Sequence, residues 1–107
     1  MTKLLDTFSA LSDPVRFGIV EQLMADGERP AGHLVEGRGI SGAAISRHLK
    51  ILREAGLVTQ RSVGAQRLYS IRPDGLRLIA DWTISKRDFW EGSLDRLEAA
   101  ILDEEAP

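Results

Sequence analysis

The sequence contains no cysteine, which removes disulfides, iron–sulfur clusters, thiolate zinc sites and a cysteine nucleophile together. Aromatic residues are scarce at 6%, so a core has to be built mostly from Leu, Ile, Val and Ala. The only histidines, His33 and His48, fall on different segments at no spacing that suggests shared metal ligation. There is no long apolar run: the stretch Met1 to Phe8 already carries Lys3 and Asp6. Neither a secretory signal nor a membrane span can be drawn, and a cytoplasmic address follows by default. Internal repeats, low-complexity tracts and cofactor fingerprints are also missing, so no cofactor is expected. What is present is 107 residues, 43% hydrophobic and 28% charged, which suits one domain, 1–107, dominated by helices.

The net charge of −2 is misleading, because the charges are segregated. From Ser41 to Arg72 six cations, Arg47, Lys50, Arg53, Arg61, Arg67 and Arg72, face the single acid Glu54, a local balance of +5. From Pro73 to Pro107 nine acids outnumber four bases, a balance of −5. The middle of the chain therefore suits a polyanionic partner, and the last third does not.

Leu4, Leu5, Phe8 and Leu11 recur at helical spacing and predict a short amphipathic first helix. Asp13 caps a second helix with Pro14 at its first position, and Val15, Ile19, Val20 and Leu23 form its inward stripe until Gly27 stops it. Pro30 opens a third helix of little more than two turns, closed by Gly37 and Gly39. Ser41 is a natural N-cap for a fourth, in which Ala44, Ile45, His48, Leu49 and Leu52 mark one buried face up to about Ala55. After Gly56, two short strands, about Val58 to Val63 and Arg67 to Arg72, flank Gly64-Ala65, where glycine at the first central position suits a type II′ hairpin turn. Which hairpin face is buried is left open by its imperfect alternation. Beyond Pro73, Leu76, Ile79, Trp82, Phe89, Trp90, Leu94, Leu97 and Ile101 keep helical spacing, interrupted at Lys86. The simplest reading is one long helix of roughly 45 Å at ~1.5 Å per residue, too long for a domain of ~13 Å radius to cover, so part of its stripe needs another chain.

A short helix, a glycine-containing turn, a second helix with an outward basic and hydroxyl face, and a basic hairpin together predict a mainly α winged helix-turn-helix fold with a small β-hairpin. With the apolar positions of the fourth helix inward, Gly42, Ala43, Ser46, Arg47, Lys50, Arg53 and Glu54 face out, behind Ser41 at the start. A helix fits the DNA major groove, where an arginine fork pairs with guanine acceptors and small residues near the N-terminus permit close approach. Arg47 is the expected base reader. Lys50 and Arg53, with Arg61, Gln66 and Arg67 on the hairpin, are expected at phosphates or an adjacent minor groove.

The runs Leu11-Ser-Asp-Pro-Val-Arg16, Ile45-Ser-Arg-His-Leu-Lys-Ile-Leu-Arg-Glu-Ala-Gly-Leu-Val58 and Arg67-Leu-Tyr-Ser-Ile71 resemble the ArsR/SmtB family of bacterial winged-helix repressors, over nearly the whole chain. The resemblance implies a homodimer on double-stranded DNA, with the first and last helices (1–12 and 73–104) as the dimer interface around a DNA-binding core, 13–72. It assigns Leu4, Leu5, Phe8, Phe89, Trp90, Leu94, Leu97 and Ile101 to that interface. Three departures stand out. Gly42 and Ala43 follow Ser41 where family members often carry a polar residue, which shifts recognition toward Ser46 and Arg47. Arg38 stands where an apolar residue is usual, which together with Gly37 is expected to loosen the third helix. The cysteine pairs and the last-helix His and Asp/Glu sets of the metal-sensing branch are missing, so no metal is expected, and the effector is left unknown.

Competing readings are weaker. His48, on the inward edge of its helix, suits a partly buried hydrogen-bonded histidine better than a ligand. Ser41, Ser46 and His48 show no strained turn or base in reach, so an enzyme is the weakest reading. Trp82, Phe89 and Trp90 suit an interface better than a small-molecule pocket, and Asp103 to Glu105 suit a solvated terminus. The remaining alternative is the same fold used as a protein-interaction module that binds no DNA.

Overall fold

The computed structural model describes residues 3–105, so the outermost positions of the expected 1–107 domain, 1–2 and 106–107, lie outside the described residues. In order, the chain forms α1 (Lys3–Leu11), α2 (Pro14–Asp26), β1 (Arg29–Pro30), α3 (Ala31–Val35), α4 (Gly42–Glu54), β2 (Val58–Val63), β3 (Gln66–Ile71), α5 (Pro73–Ser85) and α6 (Arg87–Glu105). Local chemistry explains most boundaries. Asp13 Oδ2 accepts from the Val15 and Arg16 amides at 2.9 and 3.1 Å, and Ser41 Oγ accepts from the Ala44 amide at 3.1 Å; both satisfy amides that a helix start leaves without partners. Gly56, at φ +76°, turns the chain from α4 into β2. Gly64, at φ +60° with no positive φ at Ala65, gives the hairpin turn its expected sense.

Three expectations are corrected, and the hairpin face left open is assigned. The third helix is only five residues long, because Pro30 extends with Arg29 as a strand beside Leu68 and Tyr69 and Glu36 leaves the helix with ψ 130°. The resulting antiparallel sheet has the order β1-β3-β2 rather than being an isolated hairpin. Its buried face is now assigned: Val58, Gln60, Tyr69 and Ile71 share one side, and Val58 and Tyr69 are in the core. The last helix is broken at Lys86, whose amide reaches Thr83 O and Ile84 O. Thr83 and Ser85 hydroxyls bond back to Ile79 O and Trp82 O at 2.9 and 2.7 Å, a pattern that bends helices.

Arg38, expected to loosen α3, instead ties it down. Its Nε donates to Leu34 O and one Nη to Gln22 Oε1, each at 2.6 Å, while the guanidinium lies over Gly18 of α2. A side chain in the turn thus pins the end of α3 to α2.

The buried apolar residues are Ala10, Ile19, Val20, Leu23, Leu34, Ile45, Leu49, Leu52, Leu57, Val58 and Tyr69. α1 enters this core through Ala10 and the buried Thr7, not through Leu5 or Phe8, which stay exposed. Neither α5 nor α6 supplies a large buried side chain among the described residues; α5 docks through Gly75, whose amide donates to Gly56 O at 3.1 Å. α6 projects away, which gives extents of 68 × 31 × 22 Å and a radius of gyration of 18.9 Å, against ~13 Å for a compact chain of this size.

Candidate nucleic-acid interface

α4 is stiffened from one side only. Ile45, Leu49 and Leu52 are buried, whereas Ala43, Ser46, Arg47 and Lys50 are exposed. His48 flanks the buried stripe, with Nδ1 3.3 Å from Arg16 Nη1 and 3.8 Å from Asp13 Oδ2. Arg16 in turn donates through Nε to Ala10 O at 2.7 Å. This cluster joins the end of α1, the start of α2 and the flank of α4, so the orientation of α4 is set by polar contacts as well as by packing. The Arg16 amide, ahead of the Arg16 charge, holds the Asp13 carboxyl below its usual pKa.

The expected site residues separate into groups. Ser46 of α4 meets Gln66 and Arg67 of β3 around one open cavity of about 320 Å³, also lined by Pro30, Ala31, Gly32 and Tyr69. Ser41, Gly42 and Ala43 form the exposed entry to α4. Arg47, Lys50 and Arg67 are exposed, and among the described residues none has an acidic partner within the 4.0 Å of an ion pair. Ser46, Gln66 and Arg67 thus share one cavity rim, and Arg47 and Lys50 are exposed on the same helix as Ser46.

Arg53 and Arg61 do not join it. Arg53 follows Leu49 by four residues and so lies toward the buried stripe; it is half-buried beside a second cavity, of about 240 Å³, with Lys3, Asp6, Arg72 and Asp74. Arg61 lies opposite Leu68, on the other face of the sheet from Arg67 and Tyr69. It is engaged by Glu28 at both ends of the fork, Nε to Oε2 at 2.9 Å and Nη2 to Oε1 at 2.7 Å. Arg72 is likewise held by Asp74 at 3.0 Å. Of the six cations in the basic block, Arg47, Lys50 and Arg67 are the ones both exposed and without an ion-pair partner among the described residues. The Glu28 pairing spans 33 residues and carries no local sequence signal.

The expected interface residues Leu4, Leu5, Phe8, Phe89, Trp90, Leu94, Leu97 and Ile101 lie on α1 and α6. Phe89 and Leu94 are each 62% exposed, and Phe8 meets Trp82 of α5 edge-on at 5.8 Å. No helix of the described residues is long and apolar enough to cross a membrane, and among them no three His, Asp or Glu side chains gather into a metal-binding group.

A helix-turn-helix domain family matches residues 11–61. The chain is 42% identical over 69 residues to the transcriptional regulator Rv2034 of Mycobacterium tuberculosis, covering 64% of each protein. It is 32% identical over 80 residues to the transcriptional repressor SdpR of Bacillus subtilis, covering 75% of this chain and 88% of SdpR. The chain thus spans slightly less than two thirds of Rv2034 but most of SdpR. A possible transcriptional regulator for arsenical resistance superposes with a TM-score of 0.71 at 38% identity, over 89% of this chain and 95% of that one. The homodimeric winged helix-turn-helix DNA-binding domain Mb0332 of Mycobacterium bovis, a possible ArsR-family regulator, gives 0.64 at 27%, over 84% and 83%.

Proposed function

Because this chain belongs to the ArsR/SmtB family of winged helix-turn-helix transcriptional regulators, we propose that it acts as a homodimeric, sequence-specific DNA-binding repressor in the cytoplasm, occupying a pseudo-palindromic operator. The observation that carries this reading is that Arg47 and Lys50 of α4 and Arg67 of β3 are exposed with no ion-pair partner among the described residues, while Ser46, Gln66 and Arg67 line one open cavity. In this reading residues 13–72 form the DNA-binding unit and 1–12 with 73–104 the dimerisation helices. Arg47 reads base edges through its bidentate fork, Ser41, Gly42 and Ala43 allow α4 to approach, and Lys50, Gln66 and Arg67 hold phosphates. Arg53 and Arg61 are secondary, being half-buried or already paired.

The dimer rests on α1 and α6. The apolar stripe of α6 has no partner among the described residues, and burying each Leu or Phe contributes about 1.5–3 kcal/mol. Two-fold pairing along these helices puts the two α4 helices about 34 Å apart, in successive major grooves on one side of the duplex. Repression is then steric, and no catalytic step enters.

Titration of labelled DNA from upstream of its own gene, against an unrelated duplex and over a range of salt, tests the reading. Six free cations per dimer give a slope of about −5 in log K against log salt, at ~0.9 per neutralised phosphate. Arg47→Ala is expected to cost about 1–3 kcal/mol on the operator and to relax preference at one base step, while Arg67→Ala weakens all sequences alike. A dimer without DNA affinity at low salt refutes the proposal and leaves the protein-interaction module.

A further inference from the structure

Arg61 of β2 lies opposite Leu68 of β3, which is paired on its other side with Pro30, and Glu28 immediately precedes β1; the Arg61–Glu28 contact therefore reaches across β3 from one edge strand to the start of the other. Their contact is a fork-to-fork pair, Nε to Oε2 at 2.9 Å and Nη2 to Oε1 at 2.7 Å. A carboxylate in this position uses the donor geometry by which arginine takes a phosphate. The pair is not needed to place the hairpin. The six-residue ladder between β2 and β3, the β1 pairing and the buried Val58 and Tyr69 do that, and an ion pair at the surface adds little to stability. Its electrostatic effect is larger than its structural one, because it cancels a cation two residues from the exposed Val63 at the hairpin tip.

Resting on the DNA-binding reading above, we propose that Glu28 is an internal phosphate surrogate: it occupies Arg61 of the wing and thereby holds down the protein's affinity for DNA of arbitrary sequence. A duplex phosphate must displace the Glu28 carboxylate before Arg61 contributes. A glutamate carboxyl is ionised at neutral pH in any case, and the hydrogen bond from Arg61 draws that of Glu28 further below its usual range. The sequence-dependent contacts of Arg47 lie on α4 and do not pass through this pair. Glu28 thus acts on the ratio of specific to random binding and not on base choice itself.

The experiment compares the full-length wild type with Glu28→Gln, Glu28→Ala and the double variant Glu28→Gln/Arg61→Gln, by fluorescence anisotropy on a labelled random duplex of about 30 base pairs, long enough for two half-sites one helical turn apart. Glu28→Gln is expected to bind the random duplex about five-fold more tightly per subunit at 0.1–0.2 M salt, and to steepen the salt slope by up to about 2 per dimer. The double variant is expected to lose this gain. Glu28→Ala serves as a second route to the free arginine, and unchanged urea midpoints show that the fold is kept. A gain that persists in the double variant overturns the proposal, because the effect is then the loss of a negative charge and not the release of Arg61. Weaker binding by both Glu28 single variants also overturns it, in favour of a structural brace. If wild type and variants alike bind no DNA at low salt, the DNA reading fails and this proposal with it; if wild type binds and Glu28→Gln binds equally, only this proposal fails.

Discussion

A Cβ placed on Gly18 would lie 2.7 Å from Arg38 Nη1, and the three nearest atoms all belong to that guanidinium. Gly18→Ala therefore has two opposed effects. In the interior of α2 an alanine is worth ~0.8–1 kcal/mol over glycine. The methyl also displaces Arg38 from Leu34 O and Gln22 Oε1, both 2.6 Å away, and hydrogen bonds to a charged group contribute about 1.5–3 kcal/mol each. Losing one of them outweighs the helix term, so the single variant is expected to be about 0.5–2 kcal/mol less stable than wild type. In an Arg38→Ala background nothing remains near the added methyl, and the same substitution should stabilise by ~0.8–1 kcal/mol. The sign of the effect thus reverses with the residue at position 38. Urea unfolding followed by far-UV circular dichroism, at one fixed protomer concentration because dimerisation adds to stability, reads all four corners of the cycle. A Gly18→Ala effect of the same sign and size in both backgrounds would refute the clasp between α2 and α3.

Gly75→Ala brings a methyl to 2.9 Å from both Gly56 O and Leu57 Cδ2; backbone cannot swing aside as a guanidinium can, so a loss of about 1–3 kcal/mol is expected in thermal or urea unfolding. Leu94→Asp, on the part of α6 that lies outside the core, should leave the far-UV spectrum of each protomer near wild type. It removes about 3 kcal/mol from association across the two copies, roughly a hundredfold in dimer dissociation constant by sedimentation. The Asp13 carboxyl is held below its usual pKa chiefly by the Arg16 amide. Its contribution is present above the unfolded value and lost as pH falls below about 4 through the folded one. Asp13→Asn, which keeps a competent N-cap, should flatten the acid side of the stability profile; an unchanged profile would mean that other carboxylates govern it.

What the sequence by itself determined is what depends on neighbours a few residues apart. The Asp13-Pro14 start, the Ser41 cap, the Gly56 turn and the Gly64 hairpin are all settled by side chains and φ angles within about four positions, as is the buried stripe of Ile45, Leu49 and Leu52. The basic block and the exposed face of α4 follow from the same periodicity. Tertiary structure alone decided which cations of that block stay free. Arg61 meets Glu28 across 33 residues, and Arg38 finds Gln22 and Gly18 on a different helix. Arg53 reads as an outward residue until the buried side of α4 is seen to include its flank. The hairpin's inner face was fixed only by Val58 and Tyr69 packing into the core, and the break at Lys86 showed in the sequence only as a gap in a stripe. Local rules act through bonds that the chain closes on itself within a turn of helix, whereas a charge takes its partner from whichever segment the fold returns beside it, and no spacing along the chain encodes that return.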